Sequence, residues 1–230
     1  MIYCIIVIMS YNAVTIGRYI GSVGRMPMRK SMVSHQDPSE TQRAIREKYR
    51  QVACSAEGLF KYPTGPEGAR ALKYDDEMIG RTFPELLRSF CGVGNPFTLG
   101  AIAEGEVVLD IGCGAGFDLF IAGMKVGPAG KAIGIDITPE MVALATENIA
   151  RYSMKNIKVL PGASESLPFH DSSFDLIISN GVLNLSPEKE RTFAEAFRVL
   201  KRKGRLQFAD IILNQDLPQE IVGNPDAWSS

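Results

Sequence analysis

Histidine and tryptophan are nearly missing from this sequence, cysteine is sparse, and charge of neither sign accumulates. The two histidines, His35 and His170, lie far apart. A zinc centre wants several nitrogen or sulfur ligands at close spacing, so no metal ligand is assigned. The four cysteines, Cys4, Cys54, Cys91 and Cys113, form no C-x-x-C pair and no dense framework, which fits the reducing cytoplasm better than secretion. Basic and acidic residues number 25 and 26, leaving a net charge of −1, so no global positive field is present to hold nucleic acid. Long apolar runs are missing too. The stretch from Ile2 to Met9 is too short to cross a bilayer, no basic segment precedes it, and no small-residue cleavage site follows. No membrane role is expected.

What is present centres on VVLDIGCGAGFD, Val107 to Asp118. Val107, Val108 and Leu109 read as a strand buried on both faces. Gly112, Cys113, Gly114, Ala115 and Gly116 then make a G-x-G-x-G turn, where missing side chains allow a tight bend and close approach of a ligand to the backbone. Phe117 to Met124 has helix-forming character. Such a strand, turn and helix form the nucleotide-binding corner of a doubly wound sheet. A dinucleotide fingerprint needs a third glycine three residues after the second, and Phe117 stands there. Asp110 instead precedes the first glycine by two, placing a carboxylate where it can face the ammonium of a cofactor without phosphates.

The rest of the chain, 230 residues in all, suits one medium domain with extras. Residues 1–32 differ in character and are expected to be a disordered or non-native extension, the true start falling at Met26, Met28 or Met32. Residues 33–100 read as a helical lid segment. It holds a helix over Glu40 to Ala53 with a Ser39/Gln42 capping box, a turn cluster at Tyr62 to Gly68, and one or two short helices from Asp75 to Phe90 broken near Pro84. Residues 101–230 read as the core. A second strand, Lys131 to Ile135, ends at Asp136, 20 residues past Gly116, the interval at which an acidic residue can accept ribose hydroxyls. Thr138 and Pro139 open a helix with Met141 on its apolar face. Ile157 to Leu160, Phe174 to Asn180 and Arg205 to Ile212 are the third to fifth strands. A helix over Pro187 to Leu200 is expected to be closed by Lys201, Arg202, Lys203 and Gly204. Right-handed crossovers give the order 3-2-1-4-5, so Gly112 to Gly116, Asp136, Ala163, Ser164 and Asn180 all follow strand C-termini and converge on one crevice.

These residues carry a resemblance. VLDIGCGAGFD, GIDITPEMV, ESLPF, FDLIISNGVLNLSPEKE and FRVLKRKGRL resemble the arsenite methyltransferase branch of the class I S-adenosylmethionine-dependent methyltransferases, with quinone C-methyltransferases as next neighbours. The resemblance runs from about Tyr62 to Trp228. It implies a Rossmann-like fold, S-adenosylmethionine as cofactor and a small-molecule methyl acceptor. It implies that Asp110, Gly112, Cys113, Gly114 and Gly116 hold the methionine end and Asp136 the ribose. Ile137 and Met141 would pack by the adenine, Ala163 and Ser164 would meet its edge, and Asn180 with Val182 would line the methyl side. Acceptor positions would be Cys91, Val93, Gly181 and Asn184.

The sequence departs from that pattern in three ways. Arsenite enzymes hold trivalent arsenic with cysteine thiolates, but the matching positions are Val93 and Gly181, and a third would fall past Ser230; Cys91 is the nearest thiol. Ala163 replaces an acidic side chain, a change expected to cost about 1–3 kcal/mol of cofactor binding. After strand five a class I domain needs a further helix and two strands, strands six and seven, roughly 30 to 40 residues. Without them strand five is expected to be an exposed edge open to self-association. No general base is assigned, since His170 falls on a surface loop. Methylation of an unrelated small molecule, or cofactor binding without turnover, stands as the alternative.

Overall fold

The computed structural model describes residues 4–12 and 38–213. Five of the six strands of the sheet are parallel to one another: β2 (Val107–Ile111), β3 (Lys131–Asp136), β4 (Ile157–Pro161), β5 (Phe174–Asn180) and β6 (Leu200–Leu213). Their spatial order is β6-β5-β2-β3-β4, which is 3-2-1-4-5 when counted from Val107, as the crossover rule requires. β2 pairs with β3 through Val107 to Ile111 against Lys131 to Ile135, and with β5 through Val108 to Ile111 against Leu176 to Ser179. Both of its ladder edges are therefore filled, and its end lies at the centre of the sheet.

Side-chain alternation along these strands builds two separate cores. Val108, Leu176 and Ile178 pack under α5 (Phe117–Val126) and α6 (Pro139–Ala150), in one cluster with Leu86, Leu87 and Phe90 of the N-terminal segment. Leu109, Ile111 and Ile177 point the other way, toward Ala196 and Val199 of α7 (Lys189–Val199). Before the sheet come α1 (Pro38–Cys54), α2 (Gly65–Ala71), α3 (Asp76–Gly80), α4 (Pro84–Arg88) and a 3-10 turn at Pro96–Leu99. The break expected at Pro84 is the start of α4, whereas the stretch read as a turn cluster already enters α2 at Gly65, with Pro66 in its first turn. Ser39, expected as a cap, lies outside the described side chains.

Two expectations are corrected. The last helix ends at Val199, one residue short of the expected Leu200, but Lys201 to Gly204 do not close it. Leu200 is already extended and pairs with Phe174, and the ladder resumes at Leu176 with Arg205, leaving Lys201 to Gly204 as a bulge. The basic run is therefore no helix cap: Lys201 Nζ lies 2.7 Å from Asp175 and Arg205 Nη1 2.7 Å from Glu106. A side chain at Gly204 would come within 3.0 Å of the Lys201 and Phe174 carbonyls. Second, the outer edge of β6 is not bare. β1 (Cys4–Asn12), inside the segment expected to be an extension, runs antiparallel along Arg205 to Leu213 and fills the ladder on which self-association was argued. The proposed start methionines and the chain after Leu213 lie outside the described residues. Among the described residues no helix is long and apolar enough to cross a membrane.

Candidate functional site

A cleft with a volume of about 110 Å³ opens at the C-terminal ends of β2, β3 and β5, roofed by α1. Its floor is the glycine turn. Gly112 and Cys113 both donate their N–H to the Ile135 carbonyl at 2.9 Å, pulling the loop back across β3. Gly112 has φ +73°, and a Cβ there would lie 2.3 Å from Val182, so the loop needs glycine for conformation and for space. Gly114, at φ +51°, would meet nothing within 4 Å, as expected where backbone faces open cleft.

Three buried carboxylates face this floor. Asp110 is 2% exposed and its Oδ2 has no hydrogen-bond partner. Burial, then the neighbouring Asp118 and Asp136, hold its pKa well above the ordinary carboxylate range. Asp136 accepts from Gly114 N–H at 3.0 Å and Thr138 N–H at 2.8 Å; burial raises its pKa while those backbone bonds oppose the rise. Asp118, in the first turn of α5, accepts from the Tyr74 hydroxyl at 2.7 Å and Asn180 Nδ2 at 3.0 Å, and burial pushes its pKa up to about 6. Three acids that resist ionisation together, one with a bare oxygen, make a site complementary to a cation.

The cleft brings together Asp110, Gly112, Cys113, Gly114, Asp136, Ile137, Met141, Ser164, Asn180 and Val182, with Cys91 and Gly181 at its other wall. Gly116, Ala163, Val93 and Asn184 do not line it. Gly116 instead sits at the start of α5, Asn184 gives its N–H to Asp210 at 2.9 Å, and Val93 is buried with its side chain 3.5 Å from where a Gly181 Cβ would lie. Asn180 reaches the cleft but its amide is spent. Oδ1 accepts from the Val93 and Gly94 N–H groups at 2.9 and 3.1 Å, and Nδ2 lies within 3.1 Å of Asp118, the Gly94 carbonyl and the Tyr74 hydroxyl. It ties the end of β5 to the N-terminal segment.

Asp118, Tyr74 and a hydroxyl chain were not legible beforehand. In that chain Ser164 lies 3.1 Å from Thr192, Thr192 donates to Ser186, and Ser186 donates to the buried Glu165 at 2.5 Å. Asp118 reads as an ordinary acidic residue in a helix's first turn; the one available signal was its place two residues past the last glycine. Cys91 is half-buried in the wall, and burial pushes its thiol up to about 12, so it is protonated at neutral pH. Cys54, Cys91 and Cys113 are unpaired, and among the described residues no cluster is arranged to hold a metal.

A five-stranded 3-2-1-4-5 sheet, with a glycine turn after its central strand and carboxylates aimed at a cationic ligand, defines a class I S-adenosylmethionine-dependent methyltransferase. The residues fit that cofactor, whose sulfonium and ammonium answer the bare Asp110 oxygen. The particular family follows from comparison with known proteins: the chain belongs to the methyltransferase-domain family, matched over residues 102–229. It is 36% identical over 212 residues to an arsenite methyltransferase of Halobacterium salinarum, covering 86% of this chain and 54% of the relative. A demethylmenaquinone methyltransferase of Lactococcus lactis is 37% identical over 102 residues, 44% of this chain and 40% of the relative. The crystal structure of an arsenic(III) S-adenosylmethionine methyltransferase from Chlamydomonas reinhardtii aligns with TM-score 0.54 and 36% identity, over 69% of this chain and 53% of that one. The chain spans about half the length of the arsenite methyltransferase relatives.

Proposed function

We propose that this chain binds S-adenosylmethionine and supports transfer of its methyl group to a small acceptor, in the manner of arsenite methyltransferases. The observation that carries this is the unpartnered, buried Asp110 carboxylate beside a glycine loop locked in place by Ile135. When bound, the cofactor supplies an electrophilic methyl on a sulfonium. Asp110 and the loop from Gly112 to Gly116 orient the amino-acid end, and Asp136 keeps lone pairs for the ribose beyond its two backbone bonds. Ile137 and Met141 supply the apolar slot for the base, with Ala163 and Ser164 at its edge. Val182, wedged over Gly112, closes the methyl side and excludes water; Asn180 positions that wall without spare valence for a ligand. The acceptor is assigned to the Cys91 and Gly181 wall, with Val93 and Asn184 behind it. In-line displacement then draws its rate from alignment in a water-poor cleft, and no general base is assigned. Residues 33–100 act as the lid segment and 101–230 as the core, in a reducing, cytoplasmic setting suited to unpaired cysteines.

A second reading concerns the acceptor. Val93 and Gly181 occupy the positions where arsenite enzymes place thiols, and the thiol that does line the wall is protonated. That supports a carbon or oxygen acceptor, of which the menaquinone relative is one example. Calorimetry with S-adenosylmethionine tests the shared part: a Kd in the micromolar range is expected, and no heat of binding rejects it. An arsenite-dependent methyl-transfer assay on wild type and Cys91→Ser then separates the acceptors. Activity abolished by the substitution assigns arsenite, and no arsenite-dependent transfer assigns the second reading.

A further inference from the structure

Three tyrosines around the N-terminal segment have spent their hydroxyls on protein. Tyr62 donates to the Cys91 carbonyl at 3.0 Å, Tyr74 donates to Asp118 at 2.7 Å, and Tyr152 accepts from the Phe83 N–H at 2.7 Å. Among the described tyrosines Tyr49 differs. It lines the cleft from α1, packed with Met141 and Cys91, and among the described residues its hydroxyl makes no hydrogen bond. Burial first, then the nearby Cys91, Tyr62, Asp136 and Asp210, hold this phenol well above its ordinary pKa, so it stays a neutral donor at physiological pH. Gln42 lines the same cleft, and among the described residues its amide likewise has no partner. With Ile45 they stand three and four residues apart, on one face of the helix. Asp110, 2% exposed with its bare Oδ2, lines the same cleft. Donors on the roof and an acceptor on the floor of one cleft, none with a protein partner, are what a bound ligand completes.

We propose that Tyr49 and Gln42 are cofactor-binding residues that roof the nucleoside half of the S-adenosylmethionine site, the Tyr49 hydroxyl donating to the adenosyl moiety on the Asp136 side of the cleft. This rests on the reading of the cleft given above. Both residues precede position 102 and so lie outside the span matched by the methyltransferase-domain family. Recognition of the cofactor is therefore shared by a segment beyond that domain.

The test titrates S-adenosylmethionine, and separately methylthioadenosine, which keeps the nucleoside but lacks the amino-acid end, into wild type, Tyr49→Phe and Gln42→Ala. Calorimetry reads affinity, and amide hydrogen exchange reads α1. Tyr49→Phe is expected to weaken both ligands by the same factor, about 3- to 10-fold, and Gln42→Ala by about 3-fold. The ligand-free melting temperature of Tyr49→Phe should match wild type, because no protein contact is lost. Exchange in α1 should slow on cofactor binding, and less so in Tyr49→Phe. Unchanged affinity in both variants, a loss confined to S-adenosylmethionine, or a lowered ligand-free melting temperature of Tyr49→Phe overturns the assignment. Wild type that binds neither ligand removes the cofactor reading itself, whereas wild type that binds with both variants at equal Kd removes only this inference.

Discussion

The strand-end floor of the cleft and its helical roof differ in where their polar groups are spent. On the floor, Asp136 takes two backbone N–H groups, the Ile135 carbonyl takes two more, and Asn180 saturates its amide between β5, α5 and the Gly92 to Asn95 turn. On the roof, α1 is held by apolar contact of Val52 with Met141 and by the Ser89 hydroxyl, which donates to the Ala53 carbonyl at 3.2 Å, while Gln42 and Tyr49 make no hydrogen bond among the described residues. A floor fixed by its own backbone is ordered before a ligand arrives, and that preorganisation is what alignment of reactants requires. A roof tied at its C-terminal end but with free donors over the cleft gains its last contacts from the ligand.

The sharpest way to break this contrast is Asn180→Ala. It strands the Val93 and Gly94 N–H groups and removes one donor from Asp118, each loss costing about 1–3 kcal/mol. A fall in melting temperature of about 10 °C is expected; an unchanged value in thermal unfolding means the floor is not held from this point. Next is Asp110→Asn, which removes the bare carboxylate. Cofactor affinity should drop about 10- to 100-fold by calorimetry, while ligand-free stability holds or rises, because an unpaired buried acid is gone. Retained affinity would move the cation site elsewhere.

The smallest effect is one of pH. Burial lifts the folded pKa of Asp118 to about 6, above its ordinary value of 3.8, so the folded chain binds more protons than the unfolded chain between these values. The favourable contribution of the protonated acid is complete below about 4 and lost as pH rises through 6. A cationic ligand acts in the opposite sense, favouring the ionised acids. S-adenosylmethionine affinity should therefore climb a few-fold from pH 5 to 7 and saturate, with proton release on binding below pH 6. Calorimetry in two buffers of different ionisation heat reads that release, and a flat Kd with no release would separate Asp118 from the cofactor.

Much of this was readable from residue patterns. The apolar run at β2, the glycine turn and Asp136 are local signals, and crossover handedness converts them into a topology. Much of the cleft lining followed, because strand C-termini converge whatever their side chains do, although Gly116 and Ala163 fall outside it. What escaped was decided by side chains far apart in the chain. Asn180 was expected to serve the ligand, yet its amide is committed to Val93, Gly94 and Asp118, a commitment visible only once β5 and the N-terminal segment are adjacent. Tyr74 and Asp118 are 44 residues apart, and neither forms a motif. Lys201 to Gly204 misled because a basic run before glycine suits a helix end as well as a bulge; the carboxylates of Asp175 and Glu106 settled which.

The pairing of β1 with β6 carries a consequence for how the molecule is made. Cys4 sits opposite Leu213 and Asn12 opposite Arg205, so the two strands of this ladder lie roughly two hundred residues apart along the chain. Loop-closure entropy and contact order both place such a pairing late. The antiparallel edge ladder is then expected to zip after the five parallel strands have found one another, so the sheet gains its last strand from the far side of the sequence.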